Sequence, residues 1–209
     1  MYWQIIHTLT YFGDSWLLIP TAAIMAILIA WKNSNRRAVW YWILAFCATG
    51  AIVSLSKIAF LGFGIGSARY NFTGFSGHSA MAATLWPVML WLLSGRLKGF
   101  WRGVAVGIGY LIPLMVGVSR LILSYHSHSE VVTGLLLGFT LSTAFLVSQR
   151  GSQLKTFSAG QLCIALLLPL LLLSHGRIAT TQQFLQRLSV EIAGIDHPWT
   201  RSDLFKFRQ

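Results

Sequence analysis

Three clusters of polar residues stand at the ends of apolar runs, and their side chains are of the types that handle a phosphate group. The first pairs Lys57 with Arg69, which closes the glycine-rich stretch "GFGIGSAR". The second is "FSGHSA", Phe75 to Ala80, and the third is "SRLILSYHSHSE", Ser119 to Glu130. A charge in or beside a membrane helix costs on the order of 3 kcal/mol unless it is solvated or paired, so such residues mark function by default. Snorkelling accounts for one such residue near a helix end; it does not account for three clusters. Lys57, Arg69 and Arg120 would bring three cations into one small volume, a repulsive set unless an anion occupies it. Phosphate is the natural occupant, because arginine offers a planar fork to two phosphate oxygens and lysine a point charge. In "SGH", Ser76 can donate a hydroxyl and Gly77 lets a backbone N–H approach closely. A helix beginning there adds free N–H groups and its dipole.

His126 and Glu130 are four residues apart, which on a helix puts them on one face. A carboxylate on one ring N–H holds the imidazole and leaves the other nitrogen free to attack phosphorus. His78, beside the expected phosphate cradle, can protonate the departing oxygen as general acid. In-line phosphoryl transfer depends on positioning and on neutralising charge, and this set supplies both without a metal. Reading "HSHSE" instead as a metal-ligand run of His126, His128 and Glu130 requires extended backbone, since positions i and i+2 of a helix point to different sides. No metal and no other cofactor is expected. His7, His175 and His197 are given no role.

These clusters must be positioned by membrane helices. The 209 residues are 55% hydrophobic and 10% charged, with nine tryptophans and a mean hydropathy of +0.64, outside the range of ordinary soluble domains. Six runs of roughly 17 to 19 residues lack Asp, Glu, Lys and Arg, each about long enough to cross a hydrocarbon core of ~30 Å. They are Ser15 to Trp31, Ala38 to Ser56, Ser79 to Gly95, Gly103 to Ser119, Val131 to Gln149 and Thr156 to Ser174. The expected fold is all-α, a polytopic bundle of six transmembrane helices over residues 1–176, followed by a polar tail, 177–209. In that tail Phe184, Leu188, Ile192 and Ile195 recur at helical spacing, as in a helix lying on the membrane surface.

The formal charge of +11 does not point to nucleic acid, because the basic residues form no single patch. Eight lie in three short connections without an acid: Lys32/Arg36/Arg37, Arg96/Lys98/Arg102 and Arg150/Lys155. This is the positive-inside pattern, and it puts both termini and all three polar clusters on the non-cytoplasmic face. Tyr2, Trp3, Tyr11, Phe12 and Trp16 suit an interfacial anchor, and the first ten residues lack the basic start of a cleaved signal peptide. Cys47 and Cys163, each isolated in an apolar run, suggest neither disulfide nor metal framework.

Lys57, then Ser76-Gly77-His78, then Ser119-Arg120 followed by His126 and Glu130, resembles the type 2 phosphatidic acid phosphatase (PAP2) superfamily, whose pattern is a lysine–arginine motif, P-S-G-H and S-R-x5-H-x3-D. The similarity runs from Lys57 to Gly138. It implies a six-helix membrane enzyme in which the residue matching His126 becomes a phosphohistidine and the one matching His78 protonates the leaving group. This chain departs from the pattern at three points. Gly64 stands where the family arginine is usual, which leaves Arg69 as its replacement; Phe75 replaces the proline; Glu130 replaces aspartate, adding one methylene. The resulting expectation is a metal-independent phosphatase of the bacterial inner membrane, with its site and both termini on the periplasmic side. By resemblance its substrate is a lipid phosphate or diphosphate: undecaprenyl diphosphate, phosphatidic acid, phosphatidylglycerophosphate or lipid A. Two alternatives stand beside it, a phosphotransferase acting on lipid A and a non-catalytic protein that binds anionic lipid.

Overall fold

The computed structural model describes residues 2–32, 36–150 and 181–206, with residues 158, 160, 161 and 167. Eight α-helices organise them: α1 (Tyr2–Tyr11), α2 (Ser15–Lys32), α3 (Arg36–Phe63), α4 (Gly77–Leu93), α5 (Phe100–Ile122), α6 (His128–Ser148), α7 (Thr181–Ala193) and α8 (Arg201–Lys206). No strand occurs among the described residues, as the apolar runs predict. Four helical stretches are long and apolar enough to cross a membrane: Trp3–Lys32, Arg36–Phe63, Phe100–Ile122 and His128–Ser148. The run expected to cross sixth, 156–174, lies almost wholly outside the described residues.

α4, at 17 residues, forms the axis of the bundle. Every side chain from Ser79 to Met89 is buried, and the helix packs against α2, α3, α5 and α6. Small residues permit this crowding, as is usual where helices associate without a hydrophobic driving force between them. A Cβ on Gly138 of α6 would overlap the Ala80 carbonyl oxygen of α4, and one on Gly134 would come within 2.8 Å of the Ser76 carbonyl oxygen. On the far side of α4, a Cβ on Gly109 of α5 would meet Pro87 Cα at 2.9 Å. Hydroxyls and indoles add polar ties: Thr49 to Thr84 at 2.8 Å, Trp42 Nε1 to the Ala22 carbonyl at 3.0 Å, and Trp86 Nε1 to the Phe12 carbonyl at 2.8 Å. The outward faces are the reverse of a soluble protein's, with Ile27, Trp31, Leu44, Leu55 and Leu136 all more than 60% exposed. Bilayer tails, not water, suit such a surface.

Two boundaries differ from the sequence reading. α3 continues through Lys57 to Phe63, because a lysine ends an apolar run without ending a helix, for which it is a good former. The tail helix forms, but Leu185 and Ser189 face α3, where Gly62 admits the Ser189 backbone, while Phe184 and Ile192 of the expected stripe stay exposed.

Candidate active site

The chain reverses direction between α3 and α4 through residues 64–76, and the reversal brings Lys57 back beside the start of α4. Gly74, at a φ of +134° that side chains resist, lies against Lys57 and Ser56, and the Ser56 hydroxyl accepts the Phe75 N–H at 3.2 Å. α4 does begin at Gly77, and its cap residue Ser76 supplies no side-chain bond to the first turn. The free N–H groups of that turn therefore stay available.

At the other strand of the motif, α5 ends just past Arg120 and α6 starts at His128, so His126 lies in the connection rather than on a helix. Glu130 reaches back to it across the helix start. Ser127 and Glu130 form a capping box: the Ser127 hydroxyl accepts the Glu130 N–H at 3.3 Å, and Glu130 Oε2 accepts the Ser127 N–H at 3.1 Å. The same Oε2 lies 2.8 Å from His126 Nδ1. A carboxylate only accepts, so Nδ1 carries the proton and Nε2 keeps its lone pair. The other oxygen, Oε1, accepts the Thr73 N–H at 2.9 Å and the Thr73 hydroxyl at 2.6 Å. Glu130 is fully buried, which makes this density of donors a requirement. The longer glutamate thus keeps the contact that the family's aspartate implies. Burial holds the His126 imidazole below its ordinary pKa of 6.5, against the opposing pull of the Glu130 hydrogen bond.

A cavity of about 570 Å³ opens at this end of the bundle, and Lys57, Gly77, His78, Arg120 and His126 all line it. Arg120 is held with its guanidinium 4.4 Å over the Tyr125 ring, and its Nη1 donates to the Thr10 hydroxyl at 3.0 Å. Among the described residues its Nε is buried without a partner. Lys57 Nζ donates to Gln182 Oε1 of α7 at 2.9 Å. One wall is apolar and belongs to α2 and α3, with Ile19, Gly50 and Val53; the roof is Leu185 and Gln186 of α7 and the segment Pro198 to Arg201.

Two expected residues stand elsewhere, as does His128, a candidate only as a metal ligand. Arg69 is exposed, stacks on Tyr70 at 5.6 Å, and does not line the cavity. The Ser76 side chain is fully buried and its hydroxyl pairs with that of Ser79 at 3.0 Å, away from the cavity. His128 is exposed at the first position of α6 and also lies outside the cavity lining.

One residue that the sequence reading left in the tail enters instead. Arg201 Nη2 lies 2.7 Å and 2.8 Å from the two Glu130 oxygens, and its Nη1 donates to Asn71 Oδ1 at 3.1 Å. The signal was a charge imbalance: a buried glutamate needed a cation, and no sequence spacing could say which of the tail's basic residues supplied it.

Comparison with known proteins agrees with the motifs. The PAP2 superfamily model matches residues 56–153. The chain is 43% identical over 209 residues to an uncharacterized 22.5 kDa protein in the cps region of Klebsiella pneumoniae, covering 99% of both chains. No solved structure matches.

Proposed function

The chain belongs to the PAP2 superfamily, and from that premise we propose that it is a membrane phosphatase acting on a lipid phosphate or diphosphate through a phosphohistidine at His126. What carries the reading is the His126–Glu130 pair, 2.8 Å apart, on the wall of a cavity that also takes in Lys57, His78 and Arg120. The substrate phosphate binds to Lys57, Arg120 and the free N–H groups at the start of α4. Arg120 lines the cavity, and its buried Nε has no acceptor among the described residues, a cost that a bound anion would relieve. His126 Nε2 attacks phosphorus; the P–O bond to the lipid breaks, and His78 gives its proton to the departing oxygen. His78 then takes a proton from water, whose oxygen attacks phosphorus, breaks the P–N bond and releases phosphate. Arg69 and Ser76 are no longer needed as ligands in this scheme.

Lipid substrates are favoured by the cavity's wall. Ile19, Gly50 and Val53 belong to helices whose other faces suit hydrocarbon, so an acyl or isoprenoid chain can leave sideways while its phosphate stays at the polar end. The described basic residues Lys32, Arg36, Arg37, Arg96, Lys98, Arg102 and Arg150 lie at the opposite ends of the helices from His78 and His126, which supports a site on the non-cytoplasmic face. The test is phosphate release from a panel of lipid phosphates and diphosphates, with and without EDTA, by wild type and His126→Ala. Release that survives chelation and vanishes in the variant is expected. Full activity in His126→Ala would end the proposal, and labelled phosphate recovered on an acceptor lipid would make the protein a phosphotransferase.

A further inference from the structure

Arg201 lies beyond the segment that the family pattern covers, yet it reaches the buried carboxylate at the centre of the site. It is not a loose tail residue. The Trp199 N–H donates to the Leu61 carbonyl at 2.9 Å, and the Trp199 ring packs at Gly64. Asp203 accepts the Thr200 N–H at 3.0 Å, closing the first turn of α8 on which Arg201 stands. Asn71 and Thr73 also face the guanidinium, so the reversal between α3 and α4, the start of α6 and the C-terminal segment meet on this one cation.

We propose that Arg201 is a positioning residue of the phosphatase: by pinning the Glu130 carboxylate it sets the orientation of His126 and the basicity of its attacking nitrogen. This rests on the function proposed above. One guanidinium nitrogen bridges both carboxylate oxygens, so it restricts rotation of the group that receives His126 Nδ1–H, and it takes up part of the negative charge that would otherwise fall on the imidazole. The other charges facing His126 are Lys57 from α3 and Arg120 from α5, with His78 on the cavity wall from α4 and Asp14 beside Arg120; none of the other cations hydrogen-bonds Glu130. Removing Arg201 therefore leaves a freer, more negative carboxylate. The imidazolium gains, and the free nucleophile is lost at a higher pH than before.

The experiment compares Arg201→Gln, Arg201→Lys, Glu130→Gln and the Arg201→Gln/Glu130→Gln double variant, with rates referred to the quantity of folded protein. Arg201→Gln is expected to lower kcat by roughly tenfold with a smaller change in KM, and to move the acidic limb of kcat/KM upward by about half a pH unit. Arg201→Lys should recover most of the pH shift but less of kcat, because the ammonium keeps the charge without the planar geometry. The double variant should be no slower than Glu130→Gln alone, since Arg201 acts through that carboxylate. Reaction of His126 with diethylpyrocarbonate across pH, followed on the His126 peptide, reads the same ionisation without any substrate. It keeps this inference testable even if the lipid phosphatase reading fails. An unmoved His126 titration in Arg201→Gln, or losses that multiply in the double variant, would overturn it.

Discussion

At the scale of single residues the site is organised around one buried carboxylate. Glu130 caps α6 through Ser127, binds Thr73 and holds His126, so a change there alters the helix start and the proposed nucleophile together. Glu130→Gln keeps an acceptor but loses the charge, and a loss of roughly 10² in kcat with some activity remaining is expected from steady-state rates. The pH profile gives a second check with an opposite sign. Burial lowers the His126 pKa more than the carboxylate raises it, so the acidic limb of kcat/KM should lie below the ordinary histidine value of 6.5. Glu130→Gln removes the upward pull and should move the limb further down. Lys57, His78, Arg120, His126 and Glu130, which the structure brings together, could be picked out by type and spacing. Arg69 stands outside the cavity for a physical reason: glycines tell where a chain can turn, not which way a neighbouring side chain will face. Ser76 turned toward Ser79 because, at the cap of a helix buried within the bundle, its hydroxyl needed a partner inside the protein.

At the scale of elements, α4 and α6 place the two histidines relative to one another, and their closeness depends on glycine. A methyl group at Gly138 would overlap the Ala80 carbonyl and lie 2.6 Å from the Ala83 Cβ, neighbours that are backbone or short side chain and have no room to swing away. Gly138→Ala is therefore expected to destabilise the protein by about 1–3 kcal/mol. Gly103, in the first turn of α5 with no atom of the described residues within 4 Å of an added Cβ, is the control, and Gly103→Ala should hold or raise the melting temperature in detergent. Equal melting of both variants would contradict the packing described. Hydropathy located five of the helices but not their ends, since α3 runs seven residues past the apolar stretch expected to end at Ser56. The face that α7 presents to α3 was hidden for a related reason. Its contact residues, Leu185 and Ser189, include a serine that pairs with its own helix through the Leu185 carbonyl, so the buried side does not read as apolar.

At the scale of the whole molecule, the C-terminal segment returns to the end of the bundle that holds the site, with Gln182 on Lys57 and Arg201 on Glu130. α6 leaves that end at His128 and finishes at Ser148, roughly 30 Å away at 1.5 Å per residue. Labelling of single cysteines from outside intact cells checks the orientation, in a background with Cys47 and Cys163 replaced. Phe184→Cys on α7 should react with an impermeant maleimide, and Lys98→Cys in the connection before α5 only after permeabilisation. The reverse pattern would place the site in the cytoplasm. The basic connections predict the face on which the clusters meet, but nothing in the sequence predicts that the tail closes over them, because tertiary pairing across 71 residues leaves no local pattern. The most direct test of the account is a rapid quench of wild type and His126→Ala with a lipid phosphate labelled at phosphorus. The expected result is an alkali-stable, acid-labile label on the His126 peptide of the wild type and none on the variant; turnover without that adduct, or a label on another residue, would contradict it.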